Sequence, residues 1–127
     1  MVNKTIPDTP MPDPTSLLPL KPIDLQLLLA LSVEELHGYG LVLEIERATD
    51  GLVSLDPGNL YRVIKRLISD ELIAESERRR AADVGDERRR YYRLTALGTR
   101  VLGAELQRLR ALTNTAAARA AMRAWSA

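Results

Sequence analysis

The residues best suited to chemistry in this sequence lie along the polar side of one predicted helix, between positions 57 and 70. They bring amide, phenol, guanidinium and ammonium groups to its outer face and flanks: Asn59, Tyr61, Arg62, Lys65 and Arg66. Cations neutralise phosphates, and the amide, guanidinium and phenol groups can reach base edges in a DNA major groove. These residue types at this spacing favour a nucleic-acid contact. Taken alone, the same charges would also keep any exposed helix face soluble.

The opposite side of this helix is apolar, which predicts how the helix is held. Asp56 suits an N-cap, and Pro57 suits the first turn because its missing N–H costs nothing there. At about 100° per residue, five apolar side chains gather on one face: Leu60, Val63, Ile64, Leu67 and Ile68. We therefore predict a helix from Pro57 to about Asp70, with one face in the core and the basic residues outside.

Two arginine triplets follow this helix. The stretches from Leu72 to Arg80 and from Arg88 to Leu94 are typical of strands joined by a polar tip. The triplets lie on both sides of that tip: Arg78, Arg79, Arg80 and Arg88, Arg89, Arg90. Alternation places Tyr92 on the inner face and Tyr91 on the outer face. The hairpin is either a wing along a phosphate backbone or a charged edge that resists aggregation. Its position directly after the basic helix favours the wing.

The charge of the chain is unevenly distributed. The net charge is +1, but the segment from Asn59 to Arg93 holds ten Lys and Arg against seven Asp and Glu. That segment therefore carries +3 and the remainder −2. A basic zone on a near-neutral protein indicates a local contact with a polyanion.

Composition excludes several classes of function. The absence of Cys excludes disulfides, thiolate nucleophiles and Cys-ligated metal, and the single histidine, His37, makes a His-based metal site or catalytic triad improbable. No base, nucleophile or ligand set stands at a useful spacing, so we predict no enzyme activity, no metal and no cofactor. No apolar run approaches a membrane span and no signal peptide is evident, so we expect a cytoplasmic protein.

The segment before the basic helix predicts an arm and two helices. Residues 1–22 hold six of the seven prolines without a repeating apolar face, which is typical of an extended or disordered arm. Its leucines, Leu17, Leu18 and Leu20, either pack against the domain or a partner or belong to a passive tail, and the composition favours the tail. A short apolar helix should run from Ile23 to Leu31 and a second from about Gly38 to Thr49, with four residues inward: Leu41, Val42, Ile45 and Ala48. We expect His37 to bond to backbone and pack on the first helix, and Tyr39 to join the core.

The C-terminal part predicts one long helix, capped by Thr95 and running from Ala96 to about Trp125. Residues at alternating spacings of four and three form a stripe along it: Leu102, Leu106, Leu109, Thr113, Ala116 and Ala120. A domain this small cannot cover the whole stripe, and a homodimer through these residues is the economical solution. Trp125 either packs on a partner helix or forms an aromatic wall for a planar ligand.

Three segments of the chain resemble the PadR family of bacterial transcriptional regulators. LLLALSVEELHGYGLVLEIE is similar to the family's opening segment, DPGNLYRVIKRLISDELI to its recognition segment and RRRYYRLTALG to its wing-return strand and helix start. The resemblance covers roughly residues 23 to 112. In this chain Asn59 and Arg62 stand where the family commonly has a small hydroxyl residue and often Pro, and Glu71 replaces the usual turn glycine.

The resemblance implies a dimeric DNA-binding repressor, released by a small ligand in some members. It also implies that Tyr61 and the outward polar residues of its helix contact DNA, while the wing contacts phosphates. We expect a mainly α fold with a small β-hairpin, organised as an arm (1–22), a winged helix-turn-helix domain (23–95) and a C-terminal dimerisation helix (96–127). The alternative is a winged-helix module that binds an acidic protein and has only weak, sequence-blind affinity for DNA.

Overall fold

The computed structural model describes residues 12–77 and 90–126 of the protein. The chain forms an α+β fold in which three helices pack with a small three-stranded sheet, and two further helices follow the last strand. The elements in order are a 3-10 helix (Pro14–Leu17), α1 (Pro22–Val33), β1 (Leu36–His37), α2 (Gly38–Ala48), α3 (Pro57–Ser69), β2 (Ile73–Glu75), β3 (Tyr91–Leu94), α4 (Ala96–Thr113) and α5 (Ala116–Ser126). Within the described ranges, no helix is both long and apolar enough to cross a lipid bilayer.

The core lies between α1, α2 and α3, and the sheet and the start of α4 close it. Its fully buried side chains come from these helices and from the segment leading into the sheet: Leu27, Leu28, Leu41, Ile45, Leu67, Leu72, Ile73 and Val101. Close packing of such branched side chains is the main source of stability in a domain of this size. The three predicted helices are confirmed, with ends within two residues of the expected positions.

Three residues predicted to face inward lie at the surface instead. Ala48 is exposed, Ile68 is 39% exposed and Tyr39 is 68% exposed. Ala48 and Ile68 lie in the last turns of α2 and α3. Tyr39 is the second residue of α2, one position after its buried Gly38. Helical periodicity gives the direction of a side chain, but not how far along the helix a covering element extends.

The sheet has three strands rather than the predicted two. β3 lies in the centre and pairs antiparallel with β1 on one side and β2 on the other. Leu36 is opposite Tyr92, and Glu75 is opposite Tyr92 from the other strand. Tyr92 is buried, as predicted. β1 has only two residues, too few for alternation to indicate a strand, and its extended form depends on pairing with β3.

The arm is structured over the part that the structure describes. Asp13 caps the 3-10 helix by accepting a hydrogen bond from the N–H of Thr15, at 2.9 Å. Further on, the Leu20 N–H donates to a carboxylate oxygen of Glu105 in α4, at 3.0 Å. The prediction of a passive, extended or disordered arm is therefore wrong for these residues. The contact that orders them is 85 positions away in the chain, so local composition could not indicate it.

The single long C-terminal helix predicted from the sequence is interrupted. α4 ends at Thr113, and α5 begins at Ala116. Thr115 is bonded at both sides of the break: its hydroxyl donates to the Leu112 carbonyl at 3.0 Å and accepts from the Ala118 N–H at 3.1 Å. Thr and Asn side chains compete with the helical backbone for hydrogen bonds, and the sequence Thr-Asn-Thr therefore favours a stop and a new cap over continuation.

The N-terminus of α4 packs directly on the backbone that follows α3. The cap predicted at Thr95 is confirmed, because its hydroxyl accepts from the Gly98 N–H at 2.9 Å. The same hydroxyl donates to the Glu71 carbonyl at 2.6 Å, and the Thr95 N–H donates to the Leu72 carbonyl at 3.1 Å. Glu71 has a φ of 64°, the left-handed region that favours glycine. The turn thus keeps a glycine-type backbone although Glu71 occupies it.

We expect Gly98→Ala to destabilise the protein by about 3 kcal/mol or more, because the new methyl carbon would lie 2.0 Å from the Leu72 carbonyl oxygen. Gly103→Ala, on the same helix, is the matched control, since its new carbon meets nothing within 4 Å. Gly103→Ala should leave the free energy of unfolding unchanged or raise it by about 0.5–1 kcal/mol, because alanine has a better helix propensity than glycine. Denaturant unfolding at one protein concentration measures both, and equal midpoints would contradict the close approach.

Candidate nucleic-acid interface

The polar face of α3 is exposed while its opposite face is fixed in the core. Four side chains on the inner face are buried: Leu60, Val63, Ile64 and Leu67. Asp56 caps the helix as predicted, because its Oδ1 accepts from the Asn59 N–H at 2.8 Å. The structure places four of the five predicted contact residues at the surface: Asn59, Tyr61, Arg62 and Lys65. The result is a rigidly anchored helix that presents an amide, a phenol and two cations to solvent.

Arg66, the fifth predicted contact residue, is engaged inside the protein. Its guanidinium makes two hydrogen bonds to the carboxylate of Asp24 in α1, at 2.7 and 2.9 Å. The Asp24 side chain is only 6% exposed and that of Arg66 is 39% exposed. Donation to Asp24 raises the pKa of Arg66, which is therefore charged at any physiological pH. The bidentate pair joins the last turn of α3 to the first turn of α1.

Tyr61 lies where α3 meets the start of α2. The Tyr61 hydroxyl oxygen lies close to Gly38: a Cβ added there would be 3.4 Å from it, at van der Waals contact. Tyr61 is 48% exposed, so about half of the residue is covered by the protein and the other half is open to solvent. Burial raises the pKa of Tyr92, and the neighbouring Tyr61 and Glu75 raise it further. The Tyr61 hydroxyl is thus close enough to Tyr92 of β3 to affect its pKa.

His37 acts as the N-cap of α2. Its Nδ1 accepts from the Gly40 N–H at 3.1 Å, which confirms the predicted bond to backbone. The ring contacts Tyr91 of β3 edge to face, with centroids 5.3 Å apart. The ring contact is thus with the sheet, whereas the sequence pattern predicted packing on the first helix. The capping bond and the ring contact together give His37 a structural role.

Five of the six predicted wing residues lie outside the described residues: Arg78, Arg79, Arg80, Arg88 and Arg89. Arg90 precedes β3, and its Nη1 is 3.5 Å from Oε2 of Glu75. Both side chains are close to half exposed, so this ion pair contributes little to stability. Arg93 points outward from β3, as the alternation predicts. The strands that would carry a wing are therefore present, and its phosphate contacts remain a prediction.

The predicted dimer residues divide into two groups. Leu102 is 5% exposed and belongs to the protomer's own core, so its assignment to a dimer interface is wrong. Together with Val101 it packs in the part of the core that the start of α4 closes. Leu106 is 41% exposed, Leu109 is half-buried, and Thr113 and Ala116 are exposed. No described residue of α5 is buried, and Trp125 is 90% exposed.

Two further residues of this surface carry no signal in the sequence. Asp24 is the buried partner of Arg66, and nothing local distinguishes it from any acid in the first turn of a helix. Lys21 borders the same cleft as Asn59, Arg62 and Arg66. Only the packing of α1 against α3 brings these residues together. In the described part of the chain, no group of three or more acidic or histidine side chains could hold a metal ion.

These features define a winged-helix α+β protein of the kind found among transcriptional regulators. Residues 27–104 match the model of the transcriptional regulator PadR-like family, and this stretch is more than half of the chain. The chain belongs to that family, as the three sequence motifs predict. A comparison with curated proteins gives no match.

Solved structures of regulators have the same fold. A PadR family transcription regulator from Clostridium difficile is 26% identical, with a TM-score of 0.59, over 72% of this chain and 90% of that one. The RosR–S4 complex structure from H. salinarum is 22% identical, with a TM-score of 0.65, over 90% of this chain and 93% of that one. Bacillus subtilis PadR in complex with operator DNA is 20% identical, with a TM-score of 0.57, over 68% and 47%.

We expect Arg66→Ala to destabilise the fold by about 1–3 kcal/mol, because it leaves the buried Asp24 carboxylate without its partner. Partial exposure of Arg66 keeps the effect below that of a fully buried pair. Arg62→Ala, one turn earlier and exposed, should change stability by less than about 0.5 kcal/mol. Denaturant unfolding compares the two variants. In a protein that already carries Asp24→Ala, Arg66→Ala should lower the free energy of unfolding only slightly. Equal effects of the two single substitutions would rule out a structural role for the pair.

Proposed function

We propose that this protein is a sequence-specific regulator of transcription that binds double-stranded DNA as a dimer. The observation that carries the proposal is the arrangement of α3, with four buried apolar side chains on one face and Asn59, Tyr61, Arg62 and Lys65 exposed on the other. A helix held in this way can enter a major groove without losing its packing. The arginines on both sides of the hairpin tip would lie along the phosphate backbone beside it.

Reading of bases would come from the exposed polar residues of α3 between positions 59 and 65. Arg62 and Lys65 can donate to guanine, and Asn59 can pair with adenine through its amide. Tyr61 lies beside Gly38 and is 48% exposed, and its phenol can contact a phosphate or a base edge. Arg66 has a smaller part in reading bases, since Asp24 takes two of its donors. Its remaining donors are available to a phosphate.

A homodimer would use the exposed apolar residues of α4 and α5. Leu106, Leu109 and Leu112 continue along α4 beyond the part that packs on the core, and Met122 and Trp125 extend this surface on α5. An isolated eleven-residue helix with no buried side chain is marginally stable in water, so α5 needs a partner surface. Two protomers joined here would present two α3 helices to half-sites about 10 bp apart, or a multiple of that.

Repression is the expected direction of regulation, because the family resemblance implies it. The resemblance also implies a small effector in some members, and a cleft between paired C-terminal helices, near Trp125, would be its place. An effector bound there would change the separation of the two α3 helices and with it the affinity for DNA. The Bacillus subtilis relative in complex with operator DNA supports the DNA-binding part of the proposal.

The deciding experiment is binding to the DNA upstream of the protein's own gene, compared with scrambled DNA of equal length, at near-physiological salt. We expect a preference of about a thousandfold or more, with two protomers per site. Arg62→Ala and Lys65→Ala should each reduce this preference, because they remove donors to bases. Arg110→Ala removes an exposed cation of α4 and should leave it unchanged. Weak binding that is equal on both DNAs would favour a basic protein-interaction module instead.

Dimerisation is tested separately with Leu106→Glu, which places a charge in the exposed apolar stripe of α4. We expect monomers by sedimentation or light scattering, and loss of operator binding with the fold retained, because Leu106 is not part of the protomer's core. Ala111→Glu is the matched control, since it adds the same charge to the same helix about 140° away from Leu106. A Leu106→Glu variant that stays dimeric would place the interface elsewhere.

A further inference from the structure

A basic cleft adjoins the outer face of α3 on the side of the N-terminal arm. It has a volume of about 390 Å³ and opens between the start of α1, the turn before α3 and α3 itself. Its polar wall combines three cations with an amide and a hydroxyl: Lys21, Arg62, Arg66, Asn59 and Ser54. Apolar side chains form its floor. Among the described residues that line it, none is acidic, although just outside it Asp24 pairs with Arg66 and Glu46 accepts a hydrogen bond from Ser54.

We infer that this cleft binds a phosphate of the DNA backbone and that Lys21, carried by the arm, is the residue that defines it. The inference rests on the proposed function and extends it to a residue outside the recognition helix and the wing. Three cations line the cleft, and Lys21 and Arg62 remain to attract an anion besides Arg66, whose charge is paired with Asp24. Asn59 and Arg62 belong both to this cleft and to the exposed face of α3, so the two surfaces are continuous.

The geometry of duplex DNA gives the anion its identity. The major groove is about 12 Å wide and is bordered on both sides by phosphates. When α3 occupies the groove, residues on the flank of the helix lie beside one phosphate rim. Lys21 and the Arg66 guanidinium are on this flank, with Arg66 held in place by Asp24. A backbone phosphate at the rim would thus contact Lys21 at the start of α1 and Arg66 of α3. The ion pair with the buried Asp24 carboxylate fixes the position of Arg66.

The Lys21 side chain does not stabilise the start of α1 by capping. Lys21 is the N-cap residue, but its side chain makes no capping hydrogen bond, and it is exposed. Asp24 and Asp70 are the acidic residues of a neighbouring smaller cleft that Lys21 and Arg66 also border. Lys21 therefore serves either DNA or these carboxylates, and the two roles have different consequences on substitution.

The experiment measures the affinity of the full-length protein for the upstream DNA and for scrambled DNA over a series of salt concentrations. The proteins are the wild type, Lys21→Ala, Lys21→Arg and Arg110→Ala. We expect Lys21→Ala to weaken binding to both DNAs by the same factor, because a phosphate contact carries no sequence information. The slope of log affinity against log salt should fall by about one per protomer. Lys21→Arg should restore the slope, and Arg110→Ala should keep the wild-type value.

The outcomes separate the inference from the function on which it rests. If Lys21→Ala keeps the same salt slope as Arg110→Ala while the wild type binds its operator, the cleft does not hold a phosphate and the inference fails alone. It also fails alone if Lys21→Ala lowers only the unfolding midpoint, since Lys21 would then serve Asp24 and Asp70. If the wild type binds neither DNA, the proposed function fails and the inference with it.

Discussion

Burial of one face of α3 is the constraint on which the rest of the molecule depends. Leu60, Ile64 and Leu67 are at most 3% exposed, and they contact a core built from α1 and α2. Each such side chain contributes about 1.5–3 kcal/mol when it leaves water. This burial fixes the rotation of α3 about its own axis. The polar residues between the buried positions are consequently directed outward as a set, which is the property that recognition of DNA requires.

The end of α3 also determines where the C-terminal helices begin. The Leu72 N–H donates to the Leu67 carbonyl at 3.0 Å, and the Leu72 carbonyl accepts from the Thr95 N–H. Gly98 permits α4 to approach this same carbonyl, so the two helices are joined through a few backbone groups and the Thr95 hydroxyl, which donates to the Glu71 carbonyl. A change in the angle between paired C-terminal helices would be transmitted directly to α3. In the proposed dimer, this connection would let the dimer geometry control the affinity for DNA.

The elements that sequence could predict are those whose causes are local. Asp56, Pro57 and Thr95 shape the starts of their helices through nearby residues, and all three positions agree with the structure. β1, the ordered arm, the core position of Leu102 and the ion pair of Arg66 depend on partners that are distant in the chain. Neither periodicity nor charge distribution contains that information. The break before α5 has a local cause in residues 113–115, whose side chains compete with the helical backbone for hydrogen bonds. Helix propensity alone underestimates the effect of this competition on where a helix ends.

The arm connects the two halves of the molecule that regulation would have to couple. On one side it is attached to α4, because the carboxylate of Glu105 accepts from the Leu20 N–H. Glu105 is 1% exposed, and the hydrogen bonds that Arg108 donates hold its pKa below the usual range, so it stays charged at neutral pH. On the other side, the next residue after Leu20 is Lys21, at the edge of the basic cleft. Adjacent residues of one short segment thus contact the helix of the proposed dimer and the inferred phosphate site. A movement of α4 relative to α1 would therefore act on the DNA-facing surface through Lys21 as well as through α3.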